Sequence, residues 1–133
     1  MEVRTLVTNR RVLIVNKSKD SRDVLRTALE RRGMEILEAA AATEGLAMAQ
    51  RHHPHVIVLD LEDDPAGEDA ACDRFREGAD ERDTSLVVLG SAQWCQTARR
   101  RFDSGVSQKS EGSIVAKPYH FGPLIRKIEE LAR

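Results

Sequence analysis

The chain has 133 residues, 41% of them hydrophobic and 32% charged, with a formal net charge of -1. That length suits one domain with a real core, and the composition excludes a disordered or fibrous chain. The near-neutral balance gives no global pull towards nucleic acid or an anionic membrane, and the charge blocks alternate in sign, as on solvated helix faces.

Two cysteines, Cys72 and Cys95, form no CxxC or other metal-ligand spacing, so reduced thiols in a cytoplasmic protein are expected. The apolar run before Asn16 is too short for a signal-peptide core or a membrane span. Residues 1–10 read as a short extension, either a tail or an added edge segment, and 11–133 as a single module without an output domain.

Val12 to Val15 is a β-branched-rich run, consistent with a strand buried on both faces, and it runs straight into Asn16 and Lys17. Ser18 or Asp20 can cap the helix that follows, whose stripe is Val24, Leu25, Ala28 and Leu29 and whose end is Gly33. Met34 to Glu38 predicts a second strand. Thr43 is the expected cap of a helix through Leu46, Ala47 and Ala49, closed by Pro54.

Val56 to Leu59 predicts a third strand ending at Asp60. In the acidic loop LEDDPAG after it, Pro65 and Gly67 should break regular structure. A helix through Ala70, Ala71 and Phe75 follows, then a polar turn at ADERDTS. Leu86 to Leu89 predicts the fourth strand and AQWCQTARRRF the fourth helix. Cys95, Ala98 and Phe102 make its better core stripe, which leaves Trp94 at the rim beside Arg99, Arg100 and Arg101. There Trp94 suits either a partner surface or packing under the neighbouring loop. Ile114 to Ala116 predicts the fifth strand, Lys117-Pro118 follows, and Pro123 fits the first turn of a last helix with Leu124, Ile128 and Leu131 as its stripe.

The pattern is (βα)5, which implies a parallel sheet covered on both faces. In such sheets the ligand crevice lies at the carboxyl ends of the strands, where the strand order reverses. Asn16, Lys17, Asp60 and the ends of the last two strands are therefore expected to meet.

The segments VLIVNKSKDSRDVLRTALERRGMEILEAA, VIVLDLEDDPAG, SLVVLGSA and IVAKPY follow one another at spacings that resemble the receiver domain of two-component response regulators, over roughly residues 11–132. The resemblance implies the CheY-like, flavodoxin-like doubly wound fold, with a five-stranded sheet in the order 2-1-3-4-5. It also implies a phosphoacceptor aspartate at Asp60 and a phosphate-neutralising lysine at Lys117, before Pro118. The family's Mg²⁺-binding acid pair falls on Asn16 and Lys17, its Ser/Thr position on Gly90 or Ser91, and its switch aromatic on Ile114. Pro65 lies one place later than in the family, and DSGVSQKSEG before the fifth strand is longer.

An ammonium where a carboxylate belongs repels a divalent ion instead of attracting it, and Mg²⁺ needs oxygen ligands. No cofactor, no catalytic residue and no metal ligand is therefore expected, with Mg²⁺ binding lost or weak. Asp60 should pair with Lys17, Lys117 or both, although a plain strand-end acid is the blander reading. Glu62, Asp63 and Asp64 are either substitute ligands or, more simply, a solvated loop. His52, His53, His55 and His120 read as surface residues.

The leading expectation is an atypical receiver of a phosphorelay that acts through protein–protein contacts and is not an enzyme. Its partners would be a histidine kinase or an output protein docking on the last two helices and the fifth strand, and a homodimer is a further option; nucleic acid and membrane are not expected. The alternatives are a working phosphoacceptor at Asp60 and, more remotely, an Asp-nucleophile phosphatase with Glu62 as second acid.

Overall fold

Three near-continuous runs of branched and bulky apolar side chains, Val12–Val15, Val56–Leu59 and Leu86–Leu89, form the doubly covered centre of the sheet, and two less buried segments flank them. The computed structural model describes residues 10–61, 65–102 and 112–132. The strands are β1 (Arg11–Val15), β2 (Glu35–Ala39), β3 (Val56–Asp60), β4 (Ser85–Gly90) and β5 (Gly112–Ala116). The helices between and after them are α1 (Lys19–Glu30), α2 (Ala42–His52), α3 (Pro65–Arg82), α4 (Ala92–Phe102) and α5 (Phe121–Leu131). The sheet order is β2-β1-β3-β4-β5 and every pair is parallel, as expected.

Alternation along the strands divides the core in two. Leu13, Val15, Ile57 and Leu59 face Phe75, Cys72 and Cys95 on one side. Val12, Ile14, Val58 and Leu89 face Leu25, Leu29, Leu124 and Ile128 on the other. Thus α1 and α5 cover one face, and α2, α3 and α4 the other.

Several element ends differ from the sequence reading. β2 starts one residue late because Met34 still belongs to the helix exit. Its N–H bonds to the Leu29 carbonyl at 3.3 Å, after Gly33 turns the chain with φ +84°. Ser18, one of the two expected caps, does cap α1, accepting from the Ser21 N–H at 3.2 Å. Thr43 does not cap α2. The helix starts after Ala41, and Glu44 reaches back over the first turn to accept the Ala40 N–H at 3.1 Å.

Pro65 opens α3 instead of breaking it, since the first helical position needs no N–H. Gly67 falls inside the same helix, and Asp83 ends it in the left-handed region at φ 59°. The buried stripe of α3 is Cys72, Phe75 and Ala79, with Ala70 exposed. Val24 is 51% exposed and stands outside the α1 stripe, while Ile125 joins the α5 stripe. Trp94 is buried, not at a rim. The side chains of Arg99, Arg100, Arg101 and Phe102 lie outside the described residues, as do residues 1–9 and the segment 103–111.

The carboxyl end of β1 is tied down by one arginine. Arg22 of α1 donates to the carbonyls of Asn16 and Lys17, and also to Glu38 of β2 at 3.1 Å. Arg26 donates to the other oxygen of Glu38 at 2.7 Å. Burial alone would raise the Glu38 carboxyl, but the hydrogen bonds from Arg26 and Arg22 outweigh it and hold the group below its ordinary value.

Two tests follow from this packing. A methyl at Gly45 would sit 2.7 Å from Cγ2 of Val15 and 3.1 Å from Phe75, both buried, whereas one at Gly122 meets nothing within 4 Å. Gly45→Ala should lose about 1–3 kcal/mol by overpacking, and Gly122→Ala should gain roughly 0.5 kcal/mol as a helical glycine replaced. Urea unfolding of the two variants is expected to give shifts of opposite sign.

The second test is acid stability. Because the folded Glu38 is depressed, its contribution is complete above the unfolded glutamate pKa of about 4.3 and is lost as pH falls through the folded value. Urea midpoints measured from about pH 6 to pH 3 should fall more steeply for the natural chain than for Glu38→Gln.

Candidate functional site

Parallel pairing brings the carboxyl ends of β1, β3, β4 and β5 to one edge of the sheet, with β1 beside β3 and β4 between β3 and β5. Asp60 closes β3, and its register partner is Leu89 of β4. Asn16 continues β1 by one ladder bond, its N–H to the Ala39 carbonyl at 3.0 Å. Lys117 continues β5 in the same way, its N–H to the Gly90 carbonyl at 2.8 Å. Asn16, Lys17, Ser18, Ser21, Asp60 and Lys117 line one cavity of about 600 Å³.

Both carboxylate oxygens of Asp60 are engaged. The Lys117 ammonium pairs with Oδ1 and also donates to the Leu61 carbonyl at 2.7 Å. The Asn16 amide donates from Nδ2 to Oδ2 at 3.0 Å. The amide orientation is fixed by its other end, because Asn16 Oδ1 accepts the Ser18 N–H at 2.9 Å in an Asx turn. Flipping the amide would set oxygen against the carboxylate and nitrogen against an N–H. Of the two lysines expected beside Asp60, Lys117 makes an ion pair with it, and Lys17 lines the same cavity from an exposed position. The Asp60 side chain is 14% exposed, so its charge is held among donors and not in water.

Gly90 and Ser91 stand at the end of β4 in different settings. Gly90 is the last strand residue, level with Ala116, and it has no side chain to offer. The hydroxyl of Ser91 caps α4, accepting the Trp94 N–H at 3.1 Å. Ile114 lies in β5 opposite Val88 and packs, half-buried, against the core on the α2–α4 face.

Tyr119 and the Leu61 carbonyl were passed over in the sequence. The phenol of Tyr119 is pushed up by burial and further by the charge of Asp60, which sets the residue beside the cleft. Its ring meets Phe121 edge-on at 5.5 Å. An aromatic directly after Lys117-Pro118 was the available signal; a backbone carbonyl carries none.

His52 and His55 serve the opposite end of the sheet. His55 Nδ1 accepts the Arg11 N–H at 3.1 Å, and the His52 carbonyl accepts from the Arg11 guanidinium at 2.9 Å. Among the described residues no three His, Cys, Asp or Glu side chains are grouped so as to hold a metal ion. Glu62, Asp63 and Asp64 lie outside the described residues.

Comparison with known proteins accounts for this arrangement. The chain is 24% identical over 123 residues to the DNA-binding dual master transcriptional regulator RpaA of Synechocystis, a match covering 92% of this chain and 49% of that protein. It thus spans about half the length of that relative. Its fold is that of the CheY-like receiver domain protein of Methanospirillum hungatei, with a TM-score of 0.68 at 22% identity over 92% of each chain. The receiver domain of the Francisella response regulator 1452 gives a TM-score of 0.72 at 18% identity, covering 93% of this chain and 97% of that one. Residues 12–129, which include the cavity and all but the first residue of the sheet, match the response regulator receiver domain, and the chain belongs to that family.

Proposed function

We propose that this chain is an atypical receiver domain that signals by binding other proteins and has given up Mg²⁺-dependent phosphotransfer. The observation that carries this reading is the direction of the Asn16 amide. Where a metal site needs oxygen acceptors, Asn16 turns a donor towards Asp60 and spends its one side-chain oxygen on the Ser18 N–H.

Mg²⁺ demands near-octahedral oxygen ligation and is usually held by one or two carboxylates with phosphate and water. The described cavity lining offers one carboxylate, both of whose oxygens already accept from Lys117 and Asn16, and adds the ammonium of Lys17. These residues do not fit the ion. Donors at both oxygens of Asp60 also stabilise it as a carboxylate and so lower its nucleophilicity. The geometry suits an internal ion pair standing where a metal-bound aspartate would otherwise be.

A second reading has its own support, since Asp60 and Lys117 are both present and in contact. In it Asp60 still accepts a phosphoryl group, with unusual ligation. The phosphatase alternative depends on Glu62, which lies outside the described residues, and nothing in the cavity favours it.

Partners on this proposal are signalling proteins, a histidine kinase or an output protein, meeting α4, β5 and α5; a second copy of the chain is another candidate for that face. The chain would act without turnover and in the cytoplasm. Among the described residues no helix is long and apolar enough to cross a membrane. The DNA binding named for the Synechocystis relative belongs to a protein about twice as long.

Trp94, the chain's single tryptophan, is buried in the same core as Leu61, which lines the cavity, and provides a fluorescence reporter, with calorimetry as the independent readout. The natural chain is expected to give no saturable Mg²⁺ response up to millimolar concentration, and Asn16→Asp with Lys17→Asp should acquire one. Saturable binding by the unmodified chain would overturn the reading. Incubation with acetyl phosphate and Mg²⁺ should leave the intact mass unchanged. A phosphoryl adduct abolished by Asp60→Asn would establish the second reading instead.

A further inference from the structure

The corner between β4 and α4 is built around one side chain. Gly33 is the one described glycine with positive φ, so the backbone at Gly90 has a conformation open to any residue. Space is what excludes a side chain there. A Cβ on Gly90 would lie 2.7 Å from Cε3 of Trp94, 3.3 Å from Cζ3 and 3.4 Å from Cδ2. Those atoms belong to the six-membered ring of the indole, which is 8% exposed and sits in one core with Leu61, Val88 and Cys95.

The backbone that carries the ring is pinned at this corner, and the ring itself is packed in the core. The N–H of Trp94 is held by Ser91 Oγ at 3.1 Å, and the next N–H, of Cys95, by the Ser91 carbonyl at 2.9 Å. The Cys95 thiol donates to the Gly90 carbonyl at 3.6 Å, and that carbonyl also accepts the Lys117 N–H at 2.8 Å. Strand end and helix start are therefore fastened to each other, with the indole packed between them, beside the lysine that pairs with Asp60.

We propose that Gly90 and Trp94 act as one unit, in which the indole fills the place from which a side chain at the end of β4 would reach the cleft. Trp94 is then a positioning residue that holds the β4–α4 corner in a single arrangement. A hydroxyl at position 90 cannot be regained by one substitution, because its Cβ would collide with the ring. The bearing of this on phosphotransfer rests on the function proposed above, but the contact itself does not. Its test therefore needs neither Mg²⁺ nor phosphate.

The test is a urea-unfolding cycle on the full chain with Gly90→Ser, Trp94→Leu and the double variant. Gly90→Ser alone should raise the unfolding equilibrium constant roughly tenfold or more, as overpacking does. In the Trp94→Leu background the same serine should cost little, so that the double variant matches Trp94→Leu. An unchanged midpoint for Gly90→Ser, or an equal serine penalty with and without the indole, would overturn the proposal. If Gly90→Ser does not fold, the double variant against Trp94→Leu decides alone.

Hydrogen exchange separates positioning from mere core filling. In Trp94→Leu the amides at positions 94 and 95 should exchange faster while those of Leu25 and Leu29 keep their protection. Equal acceleration at both places would reduce Trp94 to a filler and overturn its role at the corner.

Discussion

One carboxylate, at Asp60, is the point on which the end of the sheet is organised. β3 delivers it, β5 delivers the lysine that neutralises it, and the turn after β1 delivers the amide that takes its second oxygen. A half-buried carboxylate is tolerable only if its lone pairs find donors. Here each donor comes from a different strand end, so the parallel register that aligns those ends is a condition of the charge being there at all.

That requirement bears on the proposed loss of metal binding. A cluster of carboxylates is stable only when a cation joins it, whereas a carboxylate among an ammonium and an amide needs no visitor. Asn16 does this with economy of geometry. One end of its amide closes the turn into α1, and the other donates to Asp60. Arg22 holds the same turn from outside through the Asn16 and Lys17 carbonyls, with Glu38 holding Arg22 in place. The proposed loss of metal dependence is in this sense a rearrangement of who satisfies the aspartate.

The same economy recurs at the end of β4. Ser91 has the hydroxyl, but it is one residue past the strand and caps α4. Gly90 has the position but no side chain, and the indole of Trp94 occupies the space behind it. Two of the features that distinguish this cleft thus come from local packing and capping, the ordinary needs of a strand meeting a helix.

Much of this was legible in residue order alone. The apolar runs at Val12, Val56 and Leu86, separated by helical stripes, determined a parallel (βα)5 sheet, because no other arrangement buries such runs on both faces. The abrupt ends at Asn16, Asp60 and Lys117 determined which side chains would meet, since strand ends in such a sheet converge. Tertiary structure decided the rest. That Lys117 reaches Asp60, which way the Asn16 amide points and that Gly90 is the last residue of β4 all turn on bonds between segments far apart in the chain. Trp94 was read as a rim residue because helical spacing favoured Cys95 and Ala98; the hole left by Gly90, across the corner, is what lets the indole in. Periodicity records which face of an element is apolar, but not the space that a neighbouring element leaves open.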